Sequence, residues 1–214
     1  MSPAQPVDIA TAAEEAATVR KPSAAEIPQL AAALAQAFDH DPPTQWVFRD
    51  DARRLGAVER GFDLLLRKLW IDQDACYTTD RFAGGAIWEL PGNWKVSPLR
   101  QLRLLPGLAR AYGRFLPRAM RAFAALESNH PEEPHYYLAF IGVAPGWQGR
   151  GLGAALMRPM LERCDAERMP AYLEASAPRN RALYERQGFE VTEEFHLGKG
   201  SPPLWRMWRK PATG

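Results

Sequence analysis

A chain of 214 residues, 46% hydrophobic, can bury a full core in one domain, and its 27 basic residues against 25 acidic ones leave a formal net charge of only +2. That balance offers nothing to a polyanion, so nucleic acid is not an expected partner, and no run reaches the roughly 20 apolar residues of a membrane span. Cys76 and Cys164 match no metal-ligand or redox spacing and read as reduced core thiols of a cytoplasmic protein. Residues 1–16 have neither a charged start nor an apolar core of signal length, so a disordered tail is expected there and one domain over 17–214.

In chain order, a short strand is expected near Ala17 to Lys21, then Pro22 and Ser23 open a helix over the apolar repeat that ends at Phe38. Pro42 and Pro43 read as a break. Leu55, Val58, Phe62, Leu65, Leu66 and Leu69 then mark one face of an amphipathic helix. "ACYTT" and "GGAIWELP" read as neighbouring strands of an antiparallel meander. The segment from Leu99 to Ser128 is helical, with interruptions expected at Pro106 and Pro117. Its arginines, Arg100, Arg103, Arg110, Arg114, Arg118 and Arg121, suit the solvated face of a helical cover better than a membrane or RNA surface. From "HYYLAFIGVAP" onward the order is strand, helix, strand, helix, strand, strand, which implies an α/β domain with a parallel pair at its centre.

One stretch carries chemistry. In "GVAPGWQGRGLGAALM" a strand ends and a helix opens with Gly149, Gly151 and Gly153 at alternate positions. The first amides of a helix have no internal partners and lie at the positive end of its dipole, and glycines there let a bulky phosphate approach. A P-loop would need a Gly-Lys-Ser/Thr ending, and a dinucleotide fingerprint a longer last interval, so neither fits. Glycines that merely let the helix sit close on the strand are the other reading of the spacing.

The run Gln148-Gly-Arg-Gly-Leu-Gly153, after an apolar strand and Val143-Ala-Pro145, resembles the coenzyme A signature of the GNAT superfamily of N-acetyltransferases. Downstream, "YLEASAPRNRALYERQGFEV" is similar to that superfamily's second motif, with Asn180 four residues before Tyr184 and Gly188-Phe189 opening another strand. Together with the terminal "LWRMWRKP", these stretches look like the puromycin N-acetyltransferases and their relatives. The resemblance implies the GNAT fold: a mixed α/β domain with a twisted sheet of six to seven strands, flanked by helices and splayed in a V between its two central parallel strands. Residues 17–134 would form the acceptor side and 135–214 the acetyl-CoA side.

It also implies acetyl transfer from acetyl-CoA to an amine, without a metal, by direct attack in a ternary complex. Tyr184 takes the place of the usual acid for the departing thiolate, and Asn180 the place of a coenzyme A contact. Gln148, Gly149, Arg150, Gly151, Leu152, Gly153 and Ala154 would cradle the pyrophosphate, while main-chain groups at Ile141 and Val143 pair with the pantetheine arm. Glu174 shares a strand face with Tyr172, and a carboxylate on an apolar central strand is costly unless paired or functional. It resembles the base of the N-terminal acetyltransferases of ribosomal proteins, though its interval to Tyr184 is shorter; a structural ion pair is the alternative. Other members carry a base six residues before the position of Val143, where this chain has Tyr137.

Gly142 is the expected site of a bulge that opens the cofactor wedge. Aromatic and acidic residues of the first half, Trp46, Phe48, Trp88 and Glu89, with Asp39, His40 and Asp41 nearby, suit a cationic small-molecule amine, although Trp46 reads as readily as core. Acetylation of a protein N-terminus or lysine, or acyl-CoA sensing without turnover, are the other readings. The chain is expected to be a monomer or a homodimer.

Overall fold

Seven strands form one sheet in the order β1-β2-β3-β4-β5-β7-β6, in which every neighbouring pair is antiparallel except β4 with β5. The strands are β1 (Val19–Arg20), β2 (Cys76–Thr79), β3 (Gly84–Glu89), β4 (Tyr136–Val143), β5 (Ala171–Ala175), β6 (Glu190–His196) and β7 (Pro203–Arg209). This computed structural model describes residues 18–48 and 50–212, so the tail expected over 1–16 lies outside the described residues.

Helices cover both faces. On one side lie α1 (Ile27–Phe38), α2 (Pro42–Val47), α3 (Arg54–Leu65), α4 (Pro98–Tyr112) and α5 (Leu116–Asn129). Leu30, Leu34, Phe62, Leu66 and Trp70 pack there with Ile87 of the sheet. On the other side α6 (Leu152–Ala166) buries Leu156, Met157 and Met160 against Trp88, Leu138 and Leu173, with Tyr184 of α7 (Pro178–Glu185) in the same core. No described helix is long and apolar enough to cross a membrane.

Local chemistry sets the helix starts. Ser23 and Glu26 cap the entry to α1 reciprocally, with the Ser23 amide and hydroxyl both donating to Glu26, and Arg20 clamps the same carboxylate at 2.7 Å. The Pro-Pro pair opens a helix rather than breaking one. Proline is compatible with the first turn, where its missing N–H costs nothing, and Asp41 caps α2 by accepting from the Thr44 amide. Pro106 likewise lies inside a continuous α4, because Leu104 and Leu108 on either side of it are anchored in the core shared with α3. The chain breaks instead at Gly113, whose φ of 54° ends α4, and Pro117 sits in the first turn of α5.

The β4–β5 pair creates the cleft. It is paired only at Tyr136↔Ala171 and Tyr137↔Tyr172, and beyond those residues the strands part. The bulge lies earlier than expected: Ile87 pairs with Phe140 but Trp88 with Leu138, so Ala139 is the extra residue. Gly142 has a different duty, since a Cβ there would stand 2.6 Å from that of Ala37 where β4 passes α1.

Candidate active site

The cradle forms where β4 runs into α6. Gln148 Nε2 donates to the Val143 carbonyl at 3.0 Å and braces the turn, while Gly149 and Gly151 take φ of 77° and 78°. Those left-handed values are open to glycine at little cost, and Gly151 is the N-cap of α6. The first amides of the helix thus face a cleft of about 580 Å³. Gln148, Gly149, Gly151, Leu152, Gly153 and Ala154 line it, as do Ile141, Val143 and Asn180. Arg150 does not line it and lies over the Trp147 ring at 5.1 Å. Two cations that the sequence pattern did not single out, Arg179 and Arg186, do.

Glu174 lies along the same cleft, on the β5 face opposite the α6 core. Its Oε2 accepts the Tyr137 hydroxyl at 2.7 Å, and its Oε1 is buried without a hydrogen bond. Burial pushes its carboxyl up to about 7, against the opposing pull of the Tyr137 and Tyr172 hydroxyls and Arg206. Burial also pushes the Tyr137 phenol well above its usual range. Tyr184 lines the cleft as well; burial, then the nearby Asp41, raises its phenol, so it carries its proton at neutral pH. Asp41 is itself buried and raised by desolvation, with Ser176, Thr44 and Arg179 pulling the other way.

Beyond Glu174 the cleft turns apolar. Phe48 stacks on Tyr112 with ring centroids 4.4 Å apart, and both line the wall with Ala119, Phe123 and Leu126 of α5 and Leu204 of β7. The arginine-rich pair α4–α5 therefore turns small and aromatic residues inward, while Arg103, Arg110, Arg114 and Arg121 are exposed. Arg118 differs: it donates to the Trp46 carbonyl at 2.7 Å and lies over that ring, tying α5 to α2.

Residues 87–189 match the family model described as acetyltransferase (GNAT) family. An uncharacterized N-acetyltransferase of Schizosaccharomyces pombe is 33% identical over 144 residues, 62% of this chain; the chain spans 58% of that relative's length. The crystal structure of the histone acetyltransferase HPA2 and related acetyltransferase from Corynebacterium glutamicum superposes with a TM-score of 0.72 at 23% identity, over 92% of this chain and 97% of that one. The polyamine N-acetyltransferase of Drosophila melanogaster gives 0.59 at 14% identity, over 90% and 99%. At such identities the likeness is one of fold, and the whole seven-stranded sheet with its flanking helices is the GNAT fold.

Within this GNAT fold the expected acceptor residues divide. Phe48 reaches the cleft; Trp46, Trp88 and Glu89 do not. Adjacent residues of a strand point to opposite faces. Trp88 is therefore fully buried in the α6 core, while Glu89 faces the other way and accepts Trp70 Nε1 at 2.6 Å. Trp46 is held under Arg118 and against Gly198. Of the acidic cluster, Asp39 is paired with Arg54 at 2.9 Å, His40 is exposed, and only Asp41 reaches the cleft. Tyr112 and Phe123 went unread because an inward face between two arginine-rich stretches looks, in one dimension, like any amphipathic cover.

Proposed function

We propose that the chain is an acetyl-CoA-dependent N-acetyltransferase acting on a small-molecule amine with an apolar or aromatic body. One observation carries the reading: a single cleft joins the glycine cradle at the α6 N-terminus, the Glu174–Tyr137 pair, Tyr184 and the aromatic chamber under α4–α5. Past Tyr137 the main chain of β4 has no partner on its β5 side, which leaves an edge for the amide-bearing pantetheine arm. The cradle amides with Arg179 and Arg186 suit its phosphates. Residues 17–134 then serve the acceptor and 135–214 the cosubstrate, within one domain.

In the ternary complex the amine nitrogen attacks the thioester carbonyl carbon and the C–S bond breaks. An alkylammonium titrates near 10.4 and must first lose a proton, which Glu174 takes directly or through the Tyr137 hydroxyl. Tyr184 protonates the departing thiolate and regains its proton from the acylated nitrogen, which sheds its second proton as the amide forms. The Val143 amide polarises the carbonyl, a contribution of about 3 kcal/mol for a donor of this kind. The cover formed by α4 and α5 favours a small acceptor over a polypeptide. The buried free thiols Cys76 and Cys164 suit the cytoplasm.

The test is thiol release from acetyl-CoA across a panel of amines, puromycin and other aminoacyl amines included, against peptides with free N-termini. Stimulation by a small amine supports the reading. Stimulation by peptides alone moves it to protein acetylation, and CoA binding without turnover on any amine moves it to sensing.

A further inference from the structure

At the far side of Glu174 from the cradle, two histidines close the loop between α5 and β4. His130 follows α5, His135 precedes β4, and both rings are buried. Their hydrogen bonds run in one direction. The carbonyl of Glu133 can only accept, so His135 Nδ1, at 2.6 Å from it, carries a hydrogen. In a neutral ring the other nitrogen is then bare, and His135 Nε2 accepts from His130 Nε2 at 2.9 Å. That bond fixes His130 in the Nε2–H form and turns its bare Nδ1 toward Glu174 Oε1, 4.0 Å away, the carboxylate oxygen that makes no hydrogen bond. Trp94, stacked at 3.8 Å, and the edges of Tyr137 and Tyr172 hold the His130 ring in place.

We propose that His135 acts as a positioning residue for the base: it locks the tautomer of His130, so that a lone pair rather than an N–H faces Glu174 Oε1 and the carboxyl is not drawn toward its charged form. The inference rests on Glu174 as the base. The surrounding charges agree with a neutral pair. Burial and the nearby Lys95 and Arg206 oppose a cationic His130, and burial opposes one at His135 against the pull of Glu133. Around Glu174 the other titratable groups are Tyr137 from β4, Tyr172 from β5 and Arg206 from β7, whose guanidinium is engaged with Glu193 at 2.6 Å; Glu89 of β3 acts on Tyr137. A pair that merely staples the loop would take the same tautomer and leave the carboxyl's titration alone.

The deciding measurement is a ¹⁵N-histidine NMR titration of the free protein, which needs no turnover. His130 is expected to be neutral with its hydrogen on Nε2; a hydrogen on Nδ1 overturns the proposal. The second measurement is the acid limb of kcat/KM. In His135→Phe the His130 Nε2–H loses its acceptor, the other tautomer becomes favoured, and a donor now faces the carboxylate. The limb then moves to lower pH by about one unit. His135→Gln, which keeps an acceptor, restores it. A limb that ignores the phenylalanine substitution also overturns the proposal, and the wild-type spectrum decides where that variant does not fold. Full activity in Glu174→Gln would instead remove the base reading, leaving the tautomer result to stand alone.

Discussion

Replacing Glu174 by glutamine should make the protein more stable as pH rises while making it a worse enzyme. The carboxyl is raised by burial from its usual 4.5 to about 7. At 1.36 kcal/mol per unit, this shift of about 2.5 units is worth roughly 3 kcal/mol. Its sign follows from which state binds the proton. The folded chain favours the protonated acid, so the contribution is fully present below about pH 4.5 and is lost as pH rises through about 7. Glutamine has no charge to bury, and it copies the acid's hydrogen bonds: its carbonyl accepts from Tyr137 while its amide faces His130 Nδ1. Urea unfolding of both proteins at about pH 5 and pH 9 should therefore show an advantage for Glu174→Gln of under about 1 kcal/mol at the first and roughly 3 kcal/mol at the second. Glu89, also raised to about 7, is common to both proteins and cancels. Acetyl transfer by the variant should fall by about 10²-fold or more. A stability difference that is the same at both pH values would refute the reasoning, because Glu174 would then be ionised in the folded protein and part of a structural ion pair.

Tyr184→Phe should lose thiol release by roughly 10²-fold while CoA still raises the melting temperature, which separates an acid from a packing residue. Tyr137→Phe removes the donor to Glu174 Oε2, so the acid limb of kcat/KM should move to higher pH by about one unit, opposite to His135→Phe. Gly151→Ala forces a side chain into φ of 78° at a cost of about 1 kcal/mol, and a calorimetric titration should show weaker CoA binding. Phe123→Ala should raise KM for the amine by roughly tenfold and leave KM for acetyl-CoA in place.

Signals that are local in the chain were legible. The glycines at 149, 151 and 153, the i, i+4 pair of Asn180 with Tyr184, and the alternation that puts Glu174 off the α6 core all depend on residues within a few positions of each other. What depended on phase or on distant partners was not. Grouping Trp88 with Glu89 overlooked that neighbours on a strand part company. The bulge falls at Ala139, which has no distinctive residue type, because packing against β3 sets the slip. Pro42 and Pro106 show the same limit: a proline's effect turns on whether its turn is first or interior, and on what anchors the helix around it. The His130–His135 pair lies outside both motifs, five positions apart, and becomes visible only when the loop closes.

The strand order carries a consequence for synthesis. β7 lies between β5 and β6 yet is made after both. A nascent chain that has emerged only as far as His196 exposes unpaired edges on β5 and β6, the kind of surface that recruits other strands. Glu190, Glu193 and Glu194, which give β6 three negative charges along its length, supply the electrostatic guard such an edge needs until Leu204 to Arg209 arrive to close it.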